Sequence, residues 1–100
     1  MKSRTLPEAE ADLQRAILWY EDRREGLGEE FLKAVLATIG AIERSPNRFP
    51  RYEGTRLPRD YRRALVKRFP YVVAFEIYPT EVLIVAISHG SQRPGYWRHR

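Results

Sequence analysis

The chain has 100 residues, 43% of them hydrophobic and 31% charged, with a formal net charge of +5, which is the size and balance of one soluble globular domain. It holds no cysteine, which excludes disulfides and thiolate chemistry, and two histidines, His89 and His99, are poor material for a zinc site, so no metal or cofactor is expected. No apolar run approaches the length of a membrane span and MKSRTLPEAEADL lacks a signal-peptide core, so a cytoplasmic protein with no membrane contact is expected.

The elements follow in chain order. Lys2 to Leu6 can form a short edge strand. A first helix is predicted from Pro7, which suits the first helical position, with Glu8, Glu10 and Asp12 complementing the helix dipole. Its stripe is Leu6, Ala9, Leu13, Ala16, Ile17 and Tyr20, and it fades near Arg24. Trp19 and Tyr20 are read as filling the junction between helices and sheet, and Glu21, Asp22 and the other helix acids as a solvated face. EGLG, Glu25 to Gly28, is a tight connection. A second helix runs from about Glu29 to Arg44, with Phe31, Leu32, Val35, Leu36, Ile39 and Ile42 on its apolar face, and SPNRFP ends it. Arg51 to Asp60 reads as loop. YRRALVKRF, YVVAFEIY and EVLIVAISH then read as three strands. Their short connections, Phe69-Pro70 and Pro79-Thr80, imply an antiparallel meander. The expected fold class is α+β: an N-terminal helical hairpin packed on one face of a small antiparallel sheet, in two layers and one domain.

If both connections are two-residue turns, faces follow from the period of two. Tyr71, Val73, Phe75 and Ile77 then share the helix-side face with Val82, Ile84 and Ala86. The mixed face carries Arg63, Leu65, Lys67, Glu76, Val85, Ile87 and His89. Arg63 would oppose Glu76 as a cross-strand ion pair, and Lys67 would lie opposite Val72, near the end of the His89 strand.

Charge is segregated. Pro7 to Glu43 holds nine acids and four bases, a net of −5, whereas Arg44 to Arg68 holds nine bases and two acids, a net of +7. HGSQRPGYWRHR adds three arginines and no acid. A basic face for nucleic acid or an acidic protein partner is expected.

WYEDRREGLGEEFLKAV, ERSPNRFP, RFPYVVAFEI and VLIVAISHGSQRPGYWRHR, in that order, resemble the RelE/ParE family of bacterial toxins over nearly the whole chain. The resemblance implies a helical hairpin on an antiparallel sheet. It also implies a toxin of a type II toxin-antitoxin pair, held inactive by a cognate antitoxin whose N-terminal domain binds DNA. The family splits. RelE-like members cut messenger RNA, generally on the ribosome and without metal. ParE-like members block DNA gyrase. The residues leave both open, together with an inactive member that only binds its antitoxin. Metal-free RNA cleavage needs a base, an acid and cations for the phosphorane. The residues of matching type are His89, Arg93, Lys67, Arg63 or Arg68, and Tyr96. His89 is either an acid-base group or a strand-end residue bonding a neighbouring backbone group. Arg93 suits a phosphate or a carboxylate. Tyr96 and Trp97 stack on bases or pack the tail against the sheet, with packing favoured for Trp97. Arg48, Arg51, Arg56, Arg59, Arg68 and Arg98 complete a basic rim for nucleic acid or antitoxin.

Overall fold

A computed structural model describes residues 1–52, 59–93 and 95–100. Strand β1 (Lys2–Thr5) leads into helix α1 (Pro7–Arg23), and helix α2 (Leu27–Arg44) returns antiparallel to it. Strands β2 (Tyr61–Leu65), β3 (Tyr71–Ile77) and β4 (Glu81–His89) follow. Short 3-10 turns occupy Pro46–Arg48 and Tyr96–His99. The sheet order is β1-β4-β3-β2. β2, β3 and β4 form the expected antiparallel meander, while β1 pairs parallel to β4, which makes the sheet mixed. The long crossover through both helices brings β1 alongside β4 in the same direction.

The hairpin closes at Gly26, whose φ of 87° places it in the left-handed region. α2 begins at Leu27, two residues before the expected start, because Glu21 reaches across: its carboxylate accepts from the Gly26 and Gly28 backbone N–H groups, each at 2.9 Å. Glu21 is therefore a cap on α2, not only part of a solvated face, and it satisfies orphan donors of the helix start. Ala9, Ala16 and Tyr20 of α1 and Phe31, Val35 and Ile42 of α2 pack on Val73, Phe75, Val82 and Ile84 of the sheet. Tyr20, Phe31, Phe69 and Tyr71 join in edge-to-face and tilted contacts with centroids 4.9–6.0 Å apart. Tyr20 fills the junction as expected. Trp19 does not: it is 50% exposed, with the Arg23 guanidinium 3.6 Å from its ring centroid.

Two features change the predicted register. The β2–β3 connection spans residues 67–70, closed by the Val66 N–H on the Tyr71 carbonyl, so it is two residues longer than assumed. Face parity survives, but every partner moves. Arg63 opposes Ala74 instead of Glu76, Leu65 opposes Val72, and Lys67 lies in the turn. Second, Phe75 pairs with Ile84 but Ala74 pairs with Ala86, so Val85 is the extra residue of a β-bulge. Side-chain parity inverts beyond it. Ile87 joins the helix-side core and His89 pairs with Tyr71, while Ala86 turns to the opposite face, the reverse of the expected placement of all three.

That opposite face is a second core. Tyr61, Ala74, Leu83, Val85 and Ala86 are covered by Trp97, which is 2% exposed. The Trp97 ring meets Tyr52 and Tyr61 edge to face at 5.1 and 4.9 Å. The aromatic tail is thus a packed strap.

Candidate functional site

The strap is locked by a residue on the far side of the fold. Asp12, on α1, falls between Ala9 and Ala16 on the apolar stripe and is 5% exposed. Its Oδ2 accepts from Arg100 Nη1 at 2.7 Å and from the Ile87 backbone N–H at 3.1 Å, and its Oδ1 accepts from Arg100 Nη2 at 3.1 Å and Arg15 Nη2 at 2.6 Å. Arg100 Nη1 also donates to the Val85 carbonyl at 3.0 Å. β1 pairs with β4 only as far as Ile84, and the bulge follows directly. The Val85 carbonyl and Ile87 N–H are the edge groups that β1 does not reach, and Arg100 and Asp12 take its place. Asp12 therefore is no solvated helix acid. Its hydrogen bonds and charge raise the Arg100 guanidinium above its ordinary value.

Around the end of β4 the backbone turns sharply. The Gly90 N–H donates to the Pro70 carbonyl at 2.7 Å and the Gln92 N–H to the His89 carbonyl at 3.0 Å. The His89 N–H donates to Gln92 Oε1 at 2.8 Å, and the Ser91 N–H donates to His89 Nδ1 at 3.0 Å. His89 Nδ1 is therefore an acceptor, so the neutral ring carries its proton on Nε2. The imidazole also packs edge-on against Tyr71, with centroids 5.3 Å apart. This is the strand-end role anticipated as one of its two readings.

An open cleft of about 580 Å³ lies on the strap side of this turn. Tyr52, Arg63, Ser88, His89, Trp97 and Arg98 line it. Arg63 Nη1 donates to the Arg51 carbonyl at 3.2 Å, and its guanidinium lies 5.4 Å from the Tyr52 ring centroid. Burial pushes the Tyr52 phenol up, partly offset by Arg63. Burial likewise pushes up the Tyr96 phenol, and Asp12 adds to it. Both phenols are thereby weaker acids than a free tyrosine.

Of the candidate catalytic residues, the fold brings Arg63 and His89 to this cleft, with Arg98 beside them. Lys67 is exposed in the β2–β3 turn, Arg93 is exposed after β4, and Tyr96 packs against the strap-side core; none of the three lines the cleft. Several rim arginines are occupied within the chain. Arg59 forms a two-pronged pair with Glu76, one arm at 3.0 Å, and Tyr78 donates to the same carboxylate at 2.9 Å. That pair replaces the expected Arg63–Glu76 contact. Arg51 meets Asp60 at 3.3 Å, and Arg68 meets Glu30 at 2.9 Å, which lowers the Glu30 carboxyl below its ordinary value. Arg48 lies exposed with its guanidinium 5.8 Å from the Phe49 ring centroid, and Arg56 lies outside the described residues. Among the described residues, no three His, Asp or Glu side chains come together as metal ligands would, and no helix is long and apolar enough to cross a membrane.

Sequence reasoning missed Asp12, Arg15, Gln92 and Arg100. For Asp12 a signal existed: an acid at stripe spacing, between two alanines that both face the core. For Arg100 none did, because its partner is 88 residues away.

The model of one protein family, described as the ParE toxin of type II toxin-antitoxin system, parDE, matches residues 4–94. The chain belongs to the ParE toxin family. Its matched span runs from β1 to the segment after β4, and so includes both sheet faces and the His89 turn. The ParE fold is met again in a solved structure described as the chromosomal ParDE TA system from P. aeruginosa. That structure has a TM-score of 0.74 and 17% identity, and the match covers 89% of this chain and 95% of that one. Comparison with curated proteins gives no match. As a ParE-family toxin the chain is one half of a two-component pair, whose other half is an antitoxin.

Proposed function

We propose that this toxin arrests growth by binding DNA gyrase and not by cutting RNA, and that a cognate antitoxin with a DNA-binding N-terminal domain neutralises it. The observation that carries the reading is the dispersal of the candidate catalytic set. General acid-base cleavage needs a base and an acid within reach of one phosphodiester. Only Arg63 and His89 of the five candidates line the cleft, and the His89 Nδ1 is engaged by the Ser91 backbone. Two guanidiniums and a ring N–H bind an anion well, but they supply no matched acid and base. The cleft therefore suits contact with an acidic surface of a large target.

The test uses purified toxin freed from antitoxin, in a cell-free translation reaction and in a gyrase supercoiling reaction. Intact messenger with blocked supercoiling is expected. His89→Ala is expected to change that inhibition by less than about tenfold, because a rim contact contributes ~1 kcal/mol. New messenger ends that disappear in His89→Ala would instead establish the nuclease mechanism.

A further inference from the structure

The His89 turn has a second side. A cleft of about 480 Å³ lies between α1 and the turn, on the helix face of the sheet. Its floor is Ala16, Tyr20 and Ile87, and its walls carry Trp19, Tyr71 and His89. We propose that this cleft is the docking pocket for a protein partner that inserts one large apolar side chain flanked by a carboxylate. The inference rests on the toxin reading only in expecting a protein partner.

Trp19 gives the apolar half. The ring is fixed by an edge contact to Tyr20 at 5.1 Å and by Arg23 stacked over it, yet half of its surface meets solvent. A rigid, half-exposed tryptophan over an aromatic floor is the type of residue on which interfaces concentrate their energy. A volume of this size accepts a large side chain with its neighbours.

Arg15 gives the charged half. It pairs with Asp12, but that one carboxylate also neutralises Arg100 and accepts the Ile87 N–H. Asp12 thus divides its charge between two guanidiniums and neutralises Arg15 only in part. The Arg15 side chain is 69% exposed, so its remaining donors are open to a second carboxylate. His89 closes the turn end of the same cleft. A nucleic acid fits less well. The rest of α1 presents exposed Glu8, Glu10, Glu21 and Asp22, which repel a phosphate backbone but leave room for a single carboxylate beside Arg15.

The molecule carries its own reference for a test, because its two tryptophans report on opposite sides of the turn. Trp97 is buried between the strap and the sheet, whereas Trp19 is open. The indole N–H resonances of the intact chain are followed as a short end-blocked glycine-serine peptide with one phenylalanine beside one glutamate is added. Trp19→Ala assigns the two signals. The expected result is a saturable shift of the Trp19 signal with Trp97 unmoved. Affinity is expected to fall at least about tenfold in Arg15→Glu and to be largely kept in Arg15→Lys. Four outcomes would overturn the pocket. They are no Trp19 shift at the highest peptide concentration, an equal shift by a lysine-flanked peptide, a shift by adenosine monophosphate but not by the peptide, or a shift of Trp97 alone. Growth arrest on induction of the unaltered chain is scored separately. A failed pocket and a failed toxin reading are thereby told apart.

Discussion

Asp12 is the residue on which the two ends of the chain converge. Its carboxylate holds Arg100 and the Ile87 N–H together; without it the N–H would lose its acceptor and Arg100 would keep only the Val85 carbonyl. Asp12→Ala is expected to cost about 2–3 kcal/mol, since the buried Ile87 N–H loses its acceptor and the part-buried Arg100 guanidinium its counter-charge. Arg100→Ala is expected to cost less, about 1–2 kcal/mol, because Arg15 and Ile87 still satisfy the acid. The double variant is expected to fall short of the sum by about 1 kcal/mol or more. Urea denaturation of the four proteins checks this, and strictly additive costs would mean that Arg100 does not depend on Asp12. His89 teaches the complementary lesson. The imidazole was legible in the sequence as a candidate, and bonding to a neighbouring backbone group as one of its two readings, but that the partner is Ser91 was not, because it depends on the turn after β4.

Among the elements, the hairpin is held at its closest point by Gly28. A Cβ there would come within 2.7 Å of the Ile17 carbonyl oxygen, a backbone atom that cannot swing aside. Alanine would improve helix propensity by about 1 kcal/mol, but overpacking costs about 1–3 kcal/mol. Gly28→Ala is therefore expected to lower Tm by several degrees, and a raised Tm would show slack between α1 and α2. The helices themselves were readable from stripe spacing, as was the Pro79-Thr80 turn. The β2–β3 turn was not, because Phe69-Pro70 marks only its last two residues and the period of two is indifferent to a shift of two.

At the scale of the whole molecule, five of the six tyrosines are tied into the two cores and the strap, Tyr78 stays exposed beside Glu76, and the phenols of all six are raised above 10.0. Burial is the leading cause for five, and the bond to Glu76 for Tyr78. The unfolded chain loses these protons first. Above pH 10.0 the native state thus binds more protons than the unfolded one. Stability is whole below that pH and falls as pH rises through the native values. Tyrosinate absorbance of the folded protein is expected to lag behind that of the urea-unfolded chain. Coincident titrations would contradict the burial of these rings. The charge asymmetry also resolves at this scale: much of the basic segment is bound internally, at Asp60, Glu76 and Glu30, which leaves Arg44, Arg48, Arg63 and Lys67 as its exposed or cleft-lining cations among the described residues, joined by Arg93 and Arg98 of the tail.

The sequence by itself determined the order of elements, the two-layer α+β class, the helix-side core as far as Ile84 and the packing role of Trp97. Each of these rests on local periodicity or on burial of a large apolar ring, which nearby residues encode. Only the tertiary structure decided which face His89 occupies, which arginine meets Glu76 and what Asp12 holds. VLIVAI is apolar at every position, so nothing in it marks Val85 as the extra residue of a bulge, and one extra residue reverses every side chain beyond it. The ion pairs that close the strap join residues 88 apart, and such a pairing exists only once the sheet has brought α1 and the tail to the same edge of β4.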